Sequence, residues 1–198
     1  MGGNLTSSAS ASSSGTLFKA GSGTLTLGGA SDSFASFIAT GGNILTGNLT
    51  ITGVNGSPAN VHDVFYVADG DSLAHCNSTL IIQPGASLTV NGAFADAGVF
   101  GRDGGVATVI QNGGTFTFNM GNQPWLFVGA SAQGGTYAEY DMNGGTLDMS
   151  DLNLGVGQCA SAANPVTATL NQTAGDIINV SVLNLGVIGG NPDMAATI

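Results

Sequence analysis

Positive charge is almost missing from this sequence. Of 198 residues only Lys19 and Arg102 are cations, against twelve Asp or Glu, for a formal net charge of −10. Two cations cannot neutralise a run of phosphates, which excludes nucleic-acid binding, and a polybasic hold on a membrane surface falls with it. Long apolar runs are missing too. No stretch approaches the ~20 consecutive apolar residues of a bilayer-spanning helix, so no transmembrane helix is expected. Lys, Arg and Glu, all strong helix formers, total three residues, so helices are not expected either. Cysteine is limited to Cys76 and Cys159.

What fills the chain instead is small and polar. Gly accounts for 33 residues, and with Asn, Ser and Thr makes up close to half the sequence. These residues offer the backbone alternatives to helix. The apolar residues, 42% of the chain, are spread evenly rather than depleted, which argues against disorder. They recur in short alternating runs: GTLTLGG at Gly23–Gly29, GNLTITG at Gly47–Gly53, ASLTV at Ala86–Val90 and GTFTF at Gly114–Phe118. Period-two alternation bounded by glycine is the signal of a half-buried strand between tight corners. The fold class expected is all-β.

The runs are copies of one another. IIQPGASLTV, VIQNGGTFTF, YDMNGGTLDM and LNQTAGDIIN align on Gly85, Gly113, Gly144 and Ala174. One column then reads Ile81, Val109, Tyr140, Leu170, and another Leu88, Phe116, Leu147, Ile177. A third precedes a glycine: Phe100, Val128, Leu154, Leu185. Gln83, Gln111 and Gln172 share a column with Met142. A period of ~30 residues that returns the same residue types without helices fits a solenoid, in which each copy buries its apolar face on the next. A β-sandwich explains the alternation but not the columns. The expected architecture is a single-stranded parallel β-helix, its columns forming ladders up the core. Gly113-Gly114 and Gly144-Gly145 are the expected corners, with at least one positive φ in each pair. Residues 1–14 read as a flexible or assembly arm and 15–198 as the β-helix. Within it a loop excursion is expected at 54–78 and clear repeats from 79 onward. The N-terminal half repeats less cleanly; Gly23-Thr24-Leu25-Thr26 and Gly47-Asn48-Leu49-Thr50 suggest a shorter copy.

At Leu17–Gly29 the sequence, LFKAGSGTLTLGG, resembles the autotransporter-associated β-strand repeat, whose units read like Lys-x-Gly-x-Gly-Thr-Leu-x-Leu-x-Gly. Lys19, Gly21, Gly23, Thr24, Leu25 and Leu27 fit that pattern, while SDSFASF replaces the usual Tyr-x-Gly-Gly. The later NGGTLDM and LNLGVG copies look like the Gly-rich β-helix repeats of large bacterial surface proteins. The resemblance implies a right-handed parallel β-helix in an exported protein, located outside the cell or on its surface, although no signal peptide stands at the start of this sequence.

Chemistry-bearing residues give little. Cys76 and Cys159 lie nearly three copies apart, about 14 Å at ~4.8 Å per stacked strand, beyond the ~7 Å a disulfide tolerates. Two free thiols are expected unless the 54–78 segment climbs the wall. His62-Asp63 and His75-Cys76 lack the spacing of a zinc set. Asp69-Gly70-Asp71 and the Asp148/Asp151 pair read as turn aspartates rather than calcium ligands. The twelve acids stand singly, without the paired carboxylates of a glycosidase, and no nucleophile elbow occurs. The Thr-x-Thr pairs do not persist as the ladder an ice-binding face would need. No enzyme activity, catalytic residue, metal or cofactor is expected. The function expected is structural: an exported stalk, fibre or surface-layer subunit, its partner a second copy joined end to end or a longer parent chain. The alternative is an adhesin or carbohydrate-binding passenger that meets a glycan or host surface through Trp125, Phe127 and Tyr137.

Overall fold

Runs of alternating apolar and Thr, Ser or Asn residues make strands because each strand can bury one face and hydrate the other. A computed structural model describes residues 4–13, 15–52, 65–70, 76–92, 98–121, 125–131, 135–159, 165–186 and 196–197. These contain seventeen strands and no helix. In chain order they are β1 (Leu5–Ser7), β2 (Thr16–Lys19), β3 (Thr24–Leu27), β4 (Asp32–Phe34), β5 (Ser36–Ala39) and β6 (Gly41–Leu45). Next come β7 (Asn48–Ile51), β8 (Phe65–Asp69), β9 (Asn77–Ile82), β10 (Ser87–Gly92), β11 (Gly98–Arg102) and β12 (Val106–Gln111). The last five are β13 (Thr115–Met120), β14 (Trp125–Ser131), β15 (Thr136–Cys159), β16 (Val166–Leu185) and β17 (Ala196–Thr197).

All belong to one curled sheet, and every pairing among the described residues is parallel. From β2 to β14 the rule is that a strand pairs with the strand three places further on, as β5 does with β8 and β9 with β12, while β1 pairs with β3. The pairings therefore form three stacks. The first runs β1, β3, β6, β9, β12, then the opening parts of β15 and β16, then β17. The second runs β4, β7, β10, β13, then the middle of β15 and β16, with Ser12 bridged to Ser33 before β4. The third runs β2, β5, β8, β11, β14, then the last parts of β15 and β16. The chain visits first, second and third stack in turn, and each visit to all three is one pass.

The alternation sets which residues enter the core. In β12, Ala107, Val109 and Gln111 are buried while Val106, Thr108 and Ile110 face outward. Aromatic rings link the stacks inside. Phe65 stands 5.7 Å from Phe37, 6.1 Å from Phe100 and 5.9 Å from Phe116, and Phe100 lies 5.5 Å from Tyr140. In the third stack Phe37 and Phe65 are followed by Gly98, where a Cβ would meet the Phe118 ring. A ring from the second stack thus fills the space a side chain would take.

Left-handed residues recur where the third stack bends. Ala68, Gly101, Gly129, Gly157 and Gly186 have φ of 63°, 69°, 78°, 73° and 71°. The flanking register places them in one file: Val67–Phe100–Val128–Val156–Leu185 immediately precedes it. Glycine suits such positions because L side chains resist positive φ. At Gly101 the close approach of the Tyr137 carbonyl leaves no room for a Cβ either.

The register bears on each expected column. Val109, Tyr140 and Leu170 do stack on one another, and so do Leu88, Phe116, Leu147 and Ile177. Ile81 is a correction: Leu80 lies under Val109, and Ile81 faces outward under Ile110. The reason is a corner longer by one residue. Four residues, 83–86, separate Ile82 from Ser87, where three, 112–114, separate Gln111 from Thr115. The same slip moves Gln83 out of the glutamine column, which runs Ile82–Gln111–Met142–Gln172. Leu154 likewise stacks on Leu126, and Val156 takes its place between Val128 and Leu185. The shorter N-terminal copy dissolves: GTLT forms β3 in the first stack and NLTI forms β7 in the second. At the corners Gly114 and Gly145 have φ of 71° and 82°.

Two expected regions are described in part. Residues 5–7 of the segment read as an arm form β1 on β3, and Ser13 N–H donates to the Ser33 carbonyl. Asp32, 1% exposed, accepts the Ala11 N–H at 2.8 Å. In the segment 54–78, Phe65–Asp69 form β8 and Asn77 opens β9. Pro58, His62, Asp63, Asp71 and His75 lie outside the described residues.

Candidate interaction site

Three places gather polar or aromatic side chains, each on the outer face of a stack or at an end. On the third stack, side chains between the inward ones form an outer file: Ile38, Tyr66, Val99 and Phe127. Phe127 is 8% exposed, and Trp125 stacks on it with centroids 5.3 Å apart and planes within 3°. Gly155 next to Phe127 has no side chain, and a Cβ there would strike that ring. Tyr66 carries Arg102 on its face, the guanidinium 5.0 Å from the centroid. Arg102 also meets Asp69 at 3.5 Å and Asp103 at 3.3 Å. Both carboxylates are buried, and burial of a charge requires such a partner. Arg102 and Asp103 therefore join in a partly buried cluster with Asp69 and Tyr66.

On the first stack the outer face carries Tyr137, Glu139 and Asp141, two residues apart along β15 and so side by side. Asn171, on the next pass, donates to Asp141 at 2.8 Å and to Glu139 at 3.4 Å. The Tyr137 hydroxyl donates to Glu139 at 3.2 Å. Desolvation, then Glu139, raise the Tyr137 phenol pKa. Asp148 is held separately, accepting from Ser150 N–H and Asn179, both at 2.9 Å. The sequence reading passed over the Glu139–Asp141 pair. Its signal was available, since acids at i and i+2 of a strand share a face. Among the described residues no group of three or more His, Cys, Asp or Glu is placed to hold a metal ion.

Of the three aromatics singled out from sequence, Trp125 and Phe127 come together on the third stack, and Tyr137 stands on the first. Cys76 is a buried free thiol. Desolvation, with the Asp69 charge second, pushes it up to about 11.

The ends of the stacks form the third place. At the start of the chain Leu5, Leu17, Phe18 and Lys19, with the corner 20–25, line an open cleft of about 470 Å³. Lys19 Nζ donates to the carbonyls of Gly21 and Thr40, both at 2.8 Å, and burial lowers its pKa. At the other end Leu183 and Leu185 are each 49% exposed. No family model, curated protein or solved structure matches this chain.

Proposed function

We propose that the chain winds as a right-handed parallel β-helix and serves as a non-catalytic exported structural element: a stalk, fibre or surface-layer subunit. The observation that carries the reading is the parallel register of the three stacks, with shifts between β15 and β16 only within Met142–Thr146 and Asp148–Asn153, each stack with an apolar file on its inner side. In such a coil the backbone hydrogen bonds run along the axis. Extension or proteolysis must then break a whole row of them together with the packed files beneath. The Thr, Ser and Asn of the outer faces hydrate the wall, with acids such as Glu139 and Asp141 among them. Arg102 is held by Asp69 and Asp103 and Lys19 by two carbonyls, so both cations serve the fold.

The alternative, a glycan-binding passenger, draws support from the Trp125–Phe127 stack, since flat parallel rings suit a sugar face. The near-complete burial of Phe127 leaves Trp125 and Tyr137 to carry it. Prolonged digestion by a broad-specificity protease tests the structural reading. The segment from β9 to β16 should survive intact under native conditions. Cleavage inside β12, β13 or β15 at the rate of an unfolded chain would contradict it. Glycan binding abolished by Trp125→Ala would favour the passenger.

A further inference from the structure

Among the described residues the third stack has a free edge at each end, and the two edges differ in kind. In the last pass, β16 continues the buried files: Leu183 follows Leu126 and Leu154, and Leu185 follows Val128 and Val156. Over the span Asp176–Leu185, β15 is the pairing partner that the described residues supply. Among the described residues the opposite side of that span has no strand partner, and apolar side chains stand on it. At the other end β2 pairs with β5 alone among the described residues and leaves its own edge open. There Leu5 and Phe18 are 65% and 48% exposed beside the cleft. Natural edges are commonly blunted by lysine, but Lys19 is turned onto the Gly21 and Thr40 carbonyls.

We propose that the open edge of β16 in one copy of this chain accepts β2 of a second copy, joining the two head to tail by parallel strand pairing. This rests on the structural reading above. A parallel stack has two unlike edges, so what continues it is an edge of the other kind carrying its side chains in the same phase. β2 meets that condition. Leu17 belongs to the file Leu17–Phe37–Phe65–Gly98–Leu126–Leu154–Leu183, so docking places Leu183 against Leu17 of the second copy. Asn184 then meets Phe18, and Leu185 meets the alkyl stem of Lys19. In the second stack, Ile178 meets Ser12 in the file that already runs Ser33–Thr50–Thr89–Thr117–Asp148. The exposed leucines supply a convex ridge and the cleft beside Phe18 a concave seat.

The first stack is compatible with the same docking. By register, Leu5, Thr6 and Ser7 of the incoming copy fall opposite Leu170, Asn171 and Gln172, beyond Ala168 and Thr169, which β17 covers. β17 and the incoming β1 thus take adjacent stretches of one edge. The contact is heterologous and does not close, so it propagates as a filament. Each copy carries a net charge of −10, so salt should strengthen the contact by screening repulsion between copies.

Sedimentation velocity on the full chain tests this. The wild type should form an open-ended series above 19.4 kDa, shifting to longer species at higher salt. Leu183→Asp blocks one face and Phe18→Asp the other, and circular dichroism shows whether each variant keeps its β structure. Each alone should sediment as a monomer. Mixed, they should give a dimer and nothing longer, through their two intact faces. A wild type that stays monomeric up to millimolar concentration in high salt would overturn the proposal, as would either single variant polymerising or a mixture that forms no dimer. A monomer that also resists the protease overturns the docking alone and leaves the structural reading standing.

Discussion

The hydroxyl of Tyr140 donates a hydrogen bond to Oε1 of Gln111, twenty-nine residues earlier and one pass below, with both side chains fully buried. Gln111 Nε2 in turn donates to the Thr146 carbonyl at 3.0 Å and to the Gly114 carbonyl at 3.4 Å. One amide thus ties the first stack to the corner of its own pass and to the corner of the next. In a core of otherwise interchangeable apolar files, this is a contact that a slip of one residue would break. A slip would strand a buried phenol and a buried amide, each costing ~1–3 kcal/mol.

The pair should therefore behave as a unit. Tyr140→Phe leaves Gln111 Oε1 without its donor and should destabilise by ~1–3 kcal/mol in urea denaturation. Gln111→Met alone should do similar harm by orphaning the phenol. The double variant should cost clearly less than the sum. Additive losses would show that the bond does not couple the two passes.

Alkaline pH should unfold the protein through two buried groups. Burial raises the Cys76 thiol to about 11 and raises the Tyr140 phenol further above its ordinary value. A folded-state pKa above the unfolded one gives stability that is complete below the unfolded pKa and drains as pH rises towards the folded one. The thiol's share should thus fall between its reference value of 9.0 and about 11, and the phenol's above ~10. Denaturation midpoints followed from pH 7 to 11 should decline, and Cys76→Ala with Tyr140→Phe should flatten the decline. An undiminished decline in the double variant would place its cause elsewhere.

Two glycines with one backbone angle separate conformational strain from close approach. Gly85 and Gly145 both have φ of 82°, but a Cβ on Gly85 meets nothing within 4 Å, while one on Gly145 would collide with the Gly114 carbonyl of the pass below. Gly85→Ala should cost only the left-handed strain, ~1–2 kcal/mol. Gly145→Ala should cost clearly more. Equal losses in thermal or urea unfolding would mean that the corners are not packed on one another.

Arg102 holds two buried carboxylates and covers the Tyr66 ring. Arg102→Met keeps much of the packing but removes the charge from Asp69 and Asp103, and should destabilise by ~3–5 kcal/mol. Arg102→Lys should recover only part of this, because an ammonium cannot fork between two carboxylates and stack at once. Full recovery by lysine would reduce the cluster to a simple charge effect.

Most of the fold is legible in period-two alternation and the ~30-residue recurrence, as the Val109–Tyr140–Leu170 file shows. What misleads is corner length. Apolar types recur so often that an alignment anchored on Gly85 and Gly113 looks sound with Ile81 in the core, although one extra corner residue turns Leu80 inward instead. In the first passes the spacing contracts: Leu25 stacks on Asn43, eighteen residues on, and no fixed period finds that. Asn43 is buried in a file of Leu and Val, where its Nδ2 donates to Ser78 at 3.2 Å, so its column looks broken when read by hydrophobicity. The Arg102 cluster was half legible. Arg102-Asp103 is visible as a dipeptide, but Tyr66 and Asp69 reach it only through the pairing of β8 with β11.

The central claim is that successive passes climb one axis in register, and distances along one outer file test it most directly. Ser33, Thr50, Thr89, Thr117, Asp148 and Ile178 follow one another across neighbouring strands of the second stack. With both native cysteines replaced by serine, spin labels can be placed in pairs on Ser33→Cys and each later member for pulsed electron-electron measurements. Separation should grow by ~4.8 Å per pass, reaching about 24 Å between Ser33 and Ile178. Distances that fail to rise in that order, or a short Ser33–Ile178 separation of the kind a folded-back sandwich would give, would contradict the account.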